Sequence, residues 1–205
     1  NGLWDDSWRQ STIIRLGFKE EVTYQPKEGS TWRFGWQSTH HDIGPGDYYA
    51  DAEESAAINL HHRYSWENGI YASNQLKIND RIELIYGLRL SLFSALGKGE
   101  YYEMDDNNNV TDSIWYSAGK IVKTYANLEP RLSGVYKLND ASSIKASYTR
   151  TTQNMHLLTF VAQGSPYDRW TSSSNNIKPQ IADQFTLGYF RNFLNNMYEF
   201  SAEVY

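Results

Sequence analysis

The chain has 205 residues, with 19 Lys and Arg against 24 Asp and Glu for a net charge of -5, and it has no cysteine. The acidic balance argues against a nucleic-acid footprint, and the lack of thiols excludes a disulfide framework, thiolate metal sites and thiol catalysis. Apolar residues make up 40% of the chain, too few and too dispersed for bilayer-spanning helices, whereas 16 Tyr and 7 Trp exceed the needs of a soluble core and favour a membrane interface.

The chain opens in loop-like residues, Asn1-Gly2-Leu3-Trp4-Asp5-Asp6, without an initiator Met or a leader. From Ser11 to Gln25, Ile14, Leu16, Phe18, Val22 and Tyr24 alternate with Arg15, Gly17, Lys19, Glu21 and Thr23, interrupted only by Glu20. That two-residue period predicts a long strand. Pro26-Lys27-Glu28-Gly29-Ser30 turns it, after which Trp32, Phe34 and Trp36 face one way and Arg33, Gly35 and Gln37 the other. The polar segment His40 to Asn68, with Gly44-Pro45-Gly46 and the acidic run Asp51 to Glu54, predicts a long loop with strand extensions near Ile58 to Tyr64.

A third strand is expected from Gly69 to Ile78, and Asn79-Asp80 turns it into a fourth. There Ile82, Leu84, Tyr86, Leu88, Leu90 and Leu92 alternate with Arg81, Glu83, Gly87, Arg89 and Ser91. Ser94 to Gly119 predicts a second long loop. Tyr125 to Arg150 is a hairpin in which Ala126, Leu128, Leu132, Gly134 and Tyr136 alternate with Asn127, Glu129, Arg131 and Ser133. After the turn Lys137-Leu138-Asn139-Asp140-Ala141, Ile144, Ala146 and Tyr148 alternate with Lys145, Ser147 and Thr149. Thr151 to Gln180 is the third long loop. A last hairpin turns at Asn192 to Asn196 and ends in mid-strand at Tyr205, so the chain is expected to be a piece of a longer protein.

Short turns thus alternate with loops of about 25 to 30 residues, well above the usual length in a compact domain. An outer-membrane barrel has that asymmetry, with strands apolar toward lipid and polar toward the lumen. The lumen set would be Arg15, Lys19, Glu21, Arg33, Arg81, Glu83, Arg89, Glu129, Arg131, Lys145, Glu199 and Glu203. A soluble sheet with one wetted face would tolerate the same pattern.

Several stretches resemble a known family. Tyr125-Ala126-Asn127-Leu128-Glu129-Pro130-Arg131-Leu132, Ser143-Ile144-Lys145-Ala146-Ser147-Tyr148-Thr149-Arg150, His156-Leu157-Leu158 and Ser173-Ser174-Asn175-Asn176-Ile177-Lys178-Pro179-Gln180, followed by Ala182-Asp183-Gln184 and Leu187-Gly188-Tyr189, are similar to the barrel of TonB-dependent outer-membrane receptors of the Bacteroidetes type. Lys77-Ile78-Asn79-Asp80-Arg81 before Tyr86-Gly87-Leu88-Arg89 resembles the strand-turn-strand pattern of such barrels more widely. The resemblance implies an all-β fold, an antiparallel transmembrane β-barrel of about 22 strands of which about eight are present. Residues 1–205 would be a partial barrel domain, with the plug and N-terminal segments outside it. The implied function is import of a nutrient ligand (iron chelate, haem, cobalamin, glycan or peptide) across the outer membrane of a Gram-negative bacterium. Its partners would be outer-membrane lipid, the TonB system and the ligand, with a surface lipoprotein left open. Two other readings also stay open: a small closed eight-stranded barrel acting as an anchor or adhesin, and a soluble binding domain.

Ligand contacts are expected from aromatics beside charges in the outer loops: Tyr48, Tyr49, Tyr101, Tyr102 and the cluster Tyr167, Asp168, Arg169 and Trp170. Packing of loop on loop, or a lipid interface, would use the same side chains. Glu129 and Arg131 would brace a plug or their cross-strand neighbours. The pairs His40-His41 and His61-His62 point to opposite faces of a strand, which disfavours a shared metal. Asp105, Asn107 and Asn109 have calcium-loop spacing but lack its glycine and distal glutamate, and Asn109-Val110-Thr111 is a sequon with meaning only in a eukaryotic secretory pathway. No metal or cofactor is expected, nor, without a nucleophile-base pair or phosphate loop, an enzyme.

Overall fold

The computed structural model describes residues 7–50, 61–159 and 168–205. Strands β1 (Ser7–Lys27), β2 (Ser30–Ala50), β3 (Arg63–Lys77), β4 (Ile82–Leu96), β7 (Ile121–Asn139), β8 (Ser142–Gln153), β11 (Gln180–Phe193) and β12 (Tyr198–Val204) form one antiparallel sheet in the order β1-β2-β3-β4-β7-β8-β11-β12. Two short hairpins stand apart from it: β5 (Gly99–Met104) with β6 (Val110–Tyr116), and β9 (Met155–Leu158) with β10 (Arg169–Ser172). Among the described residues β1 and β12 do not pair with each other. The sheet is therefore open, and a self-closed eight-stranded barrel is not what these strands build.

Register puts the predicted faces in line across the sheet. Leu84 lies opposite Gly134, Gly134 opposite Ala146, Ala146 opposite Leu187 and Leu187 opposite Val204. On the other face Tyr71 lies opposite Gly35 and Arg89, and Arg89 opposite Glu129. The apolar face stays uncovered, with Leu16 77% and Phe185 69% exposed. A face of that extent left in water would be an aggregation surface; facing hydrocarbon it costs nothing. The polar face curls inward. Although β4 and β7 separate β3 from β8 in the sheet, β10 packs on β2 and β3 from the far side.

The short turns hold by side-chain caps. Asn79 Oδ1 accepts from the backbone N–H groups of Arg81 (2.8 Å) and Ile82 (2.9 Å), and Asn139 Oδ1 from that of Ala141 (2.9 Å). Gly29 supplies a φ of 76° in the first turn.

The expected long loops prove shorter, because several strands run on past the apolar band. β2 continues to Ala50 and β3 starts at Arg63, so the described parts of the segment His40 to Asn68 are mostly ladder, whereas residues 51–60, where the strand extension expected near Ile58 begins, lie outside the described residues. The buried side chains there are mostly polar, Thr39, His41 and Ser65 among them, so no apolar/polar alternation marks the strands and the stretch reads as loop. Pro45 and Gly46 fall at a register shift between the pairs Gln10–Asp47 and Thr12–Gly44, where a missing N–H is harmless. Pro130 marks another limit: the β7–β8 ladder ends at Arg131–Thr149, just below it.

Candidate functional site

The inner wall is built on glycines. On β3 the Tyr71 ring lies across Gly35 of β2, where a Cβ would overlap it, and its hydroxyl donates to Glu21 Oε2 on β1 at 2.6 Å. The guanidinium of Arg89 on β4 lies in the same way across Gly69 of β3. Large side chains laid flat over strand glycines replace the packing those glycines lack. Arg89 Nε is 3.8 Å and Arg131 Nη2 3.5 Å from Glu129 Oε2, and Glu129 is only 4% exposed. Lys19 Nζ is 3.7 Å from Glu21, and Gln75 donates to Glu83 at 2.7 Å. Lys19, Glu21, Arg33, Tyr71, Arg89, Glu129 and Arg131 line a hollow of about 650 Å³ that carries both cations and carboxylates. The exposed pairs contribute little to stability. Glu129 differs, because burial leaves its charge dependent on the two arginines.

Over the wall runs a strap, of which residues 154–159 and 168–179 are described, carrying the β9–β10 hairpin. The imidazole of His156 and the hydroxyl of Ser173 meet at 2.9 Å, both buried, and burial holds the His156 pKa below the ordinary imidazole value. The Ser173 N–H donates to Asn154 O at 2.8 Å. Tyr125 Oη donates to Ser174 O at 2.6 Å, and the side-chain amides of Asn175 and Asn176 both donate to the carbonyl of Tyr102 at 2.7 Å. The strap is thereby tied to β7 and to the β5–β6 hairpin. That hairpin is held in turn by Tyr101 Oη donating to Leu96 O (2.9 Å) and by Arg63, which donates to Glu100 O (3.0 Å) and covers the Tyr101 ring at 4.5 Å.

Next to the strap lies a second hollow, of about 700 Å³, lined by Arg15, His41, Glu67, Gln153 and Asn154. His41 is 2% exposed, and among the described residues neither ring nitrogen has a hydrogen-bond partner, the Glu67 Oε2 lying 3.8 Å from Nε2. Asn154 Oδ1 is buried and likewise unpartnered. Such groups can hydrogen-bond a solute. Among the described residues no three His, Cys, Asp or Glu side chains come together as a metal site.

The expected site residues divide. Glu83, Arg89, Glu129 and Arg131 share the inner face, but Arg81 sits in the exposed turn before β4, where its carbonyl accepts from the Lys137 N–H at 2.8 Å. Arg81 falls outside the ladder because Asn79 caps the turn that holds it. Tyr48 and Tyr49 belong to β2, opposite Arg9 and Trp8, not to a loop. Tyr167 lies outside the described residues. Asp168 immediately precedes β10, between the two arms of the hairpin, and Arg169 and Trp170 open β10 opposite Leu158 and Leu157. Asp105 spends its carboxylate on its own turn: Oδ1 accepts from the N–H groups of Asn107 (2.9 Å) and Asn109 (2.8 Å), and Oδ2 from the Asn109 amide (3.1 Å). Those bonds, the Asn109 side chain first, hold its pKa below the usual aspartate value.

Sequence reasoning missed Tyr71, Glu67, Asn154 and the pair Asn175–Asn176, and weighed His41 only as half of a disfavoured metal pair. One signal was available for Tyr71: the glycines at 35 and 69 fall on the charged phase of their strands, where a large neighbour has room to lie down.

Residues 3–205 match the model of a family described as TonB dependent receptor-like, beta-barrel. No curated protein sequence matches the chain. Among solved structures it is similar to the FrpB iron transporter from Neisseria meningitidis (F3-3 variant), with 15% identity and a TM-score of 0.56 over 89% of this chain and 26% of that one. It is similar to the alcaligin outer membrane receptor FauA from Bordetella pertussis, with 18% identity and a TM-score of 0.55 over 96% and 29%. The copper transporter OprC gives 16% identity and a TM-score of 0.56 over 90% and 29%. The chain thus spans less than a third of the length of each, and at these identities the likeness carries the fold.

Proposed function

Because the chain belongs to the TonB-dependent receptor β-barrel family, we propose that it forms part of the wall and mouth of an importer in the outer membrane of a Gram-negative bacterium. Lipid would meet the apolar face, and a TonB system would supply energy to the whole protein. The observation that supports this best is the strap. A hairpin folded back over a charged inner wall, with unspent polar groups of His41 and Asn154 beside it, suits transient capture of a hydrogen-bonding solute. The His156–Ser173 pair is buried and staples the strap, so we assign it a structural role and no chemistry on that solute.

The iron and copper named for the similar structures make a metal chelate the first solute to try, with haem, cobalamin, glycan and peptide completing the panel. The test is growth and uptake in the native host, with the gene for the whole protein intact or deleted and with TonB intact or deleted, on each solute as the limiting source. Loss of uptake of one solute in both deletions is expected. Uptake of every solute unchanged by either deletion would sink the importer reading.

A further inference from the structure

We propose that the outward face of β7, β8 and β11 carries a lipid site, in which an apolar groove takes an acyl chain and a polar clamp above it takes a phosphorylated glycolipid headgroup. The clamp is Arg150, Asp183 and Tyr148. Arg150 donates from Nε to Asp183 Oδ1 at 2.7 Å and from Nη2 to Oδ2 at 2.9 Å, and Tyr148 Oη donates to Asp183 Oδ1 at 2.8 Å. All three lie on the apolar phase of their strands: Tyr148 is opposite Leu132 and Phe185, and its ring meets that of Phe185 at 4.7 Å with a 30° tilt. A charged cluster on the lipid side is costly at mid-bilayer and cheap only near the interface.

Its height fits the interface. Arg150 stands about ten residues above the turn at Asp140, which at ~3.3 Å per residue and a tilt of ~40° is about 25 Å, the full height of an apolar band. At a similar height above its own turn, Ser38 accepts from the indole N–H of Trp66 at 2.7 Å, the kind of residue that marks a membrane interface. The clamp therefore sits on the long-loop side, among outer-leaflet headgroups.

Directly below it, toward the bilayer centre, the small residues Gly134 and Ala146 sit side by side between Leu132, Leu187, Phe185 and Val204, leaving a groove of about 650 Å³. An amphiphile with its head outward meets polar groups first and the groove next. Asp183 holds the guanidinium flat, and Arg150 Nη1 has no partner among the described residues, so its N–H groups can donate to a phosphate. The carboxylate beside it disfavours a purely anionic head and favours one that also offers hydroxyl donors. The outer leaflet of a Gram-negative outer membrane presents that combination in its phosphorylated glycolipids.

The inference rests on the outer-membrane reading above, and one experiment separates the two. The whole protein is reconstituted into bilayers, then released for native mass spectrometry with lipid A, phosphatidylethanolamine or phosphatidylglycerol as the probe. Wild type should retain lipid A. The double variant Arg150→Met/Asp183→Leu, which leaves no unpaired charge, and Ala146→Leu, which fills the groove, should each lower that retention about tenfold without changing the other two lipids. Equal retention by wild type and both variants, or binding of all three lipids alike, would overturn the site while leaving the barrel reading intact. Failure of wild type to enter bilayers would overturn both.

Discussion

Gly69→Ala tests whether the inner wall depends on side chains laid over glycine. A Cβ at position 69 would overlap the Arg89 guanidinium, which is only 16% exposed and so has little room to step aside. Displacing it removes one of the two cations facing buried Glu129. Removing a partner from a buried pair costs about 3–5 kcal/mol, but the Arg89–Glu129 separation is 3.8 Å and Arg131 remains at 3.5 Å, so about 2 kcal/mol is the reasonable share. Alanine returns about 0.5 kcal/mol over glycine in a strand, for a net loss of about 1.5 kcal/mol. In an Arg89→Ala background the obstacle is gone, and Gly69→Ala should be neutral or stabilising by about 0.5 kcal/mol. Equilibrium urea unfolding of the whole protein in lipid vesicles, followed by tryptophan fluorescence, gives the four corners of the cycle. A cost for Gly69→Ala that is the same with and without Arg89 would refute the reasoning.

Two further outcomes follow from the same geometry. Glu129→Ala, which strands Arg89 against the wall, should cost about 3 kcal/mol, and Arg131→Ala, at an exposed side chain, under about 1 kcal/mol; equal costs in the unfolding assay would mean that Glu129 is not the centre of the cluster. Burial depresses the His156 pKa, so its neutral form is the one the folded strap favours. The associated stability is complete above the unfolded value near 6.5 and is lost as pH falls from there through the depressed folded value. Hydrogen exchange in β9 and β10, corrected for intrinsic rates, should accelerate between about pH 7 and pH 5 relative to β5 and β6, and parallel behaviour of the two hairpins would count against His156 as the cause.

The membrane-spanning part of the fold was legible because hydrocarbon on one side and a polar interior on the other force a two-residue period, seen in Ile82 to Leu92 and in Ala126 to Tyr136. The turns were legible for a local reason, the Asn79 and Asn139 caps. Beyond the apolar band the same strands continue as Thr39 to Ala50 and Arg63 to Asn68, where the buried side chains include the polar Thr39, His41 and Ser65, so no apolar/polar alternation reports them. The site was harder still. That Tyr71 covers Gly35, or that Arg150 meets Asp183 on the lipid side, depends on cross-strand register, which no single strand encodes. Of the expected ligand aromatics, Trp170 lies on the strap, whereas Tyr48 and Tyr49 were misplaced because their polar surroundings hid a strand.

Wall and mouth also differ in how their backbone polar groups are satisfied, and that difference bears on which substitutions stay local. In the wall every strand but the two edges is laddered on both sides, and moving one residue breaks several bonds at once. Loops that leave the ladder need other partners, and here these are side chains: Tyr125 on the Ser174 carbonyl, Asn175 and Asn176 on that of Tyr102. Each such bond is worth about 1 kcal/mol net, and none of them is a rung of the eight-stranded sheet. A change at Asn175, Asn176 or Tyr125 therefore alters the mouth alone, whereas a change at Gly69 or Glu129 reaches the sheet that carries it.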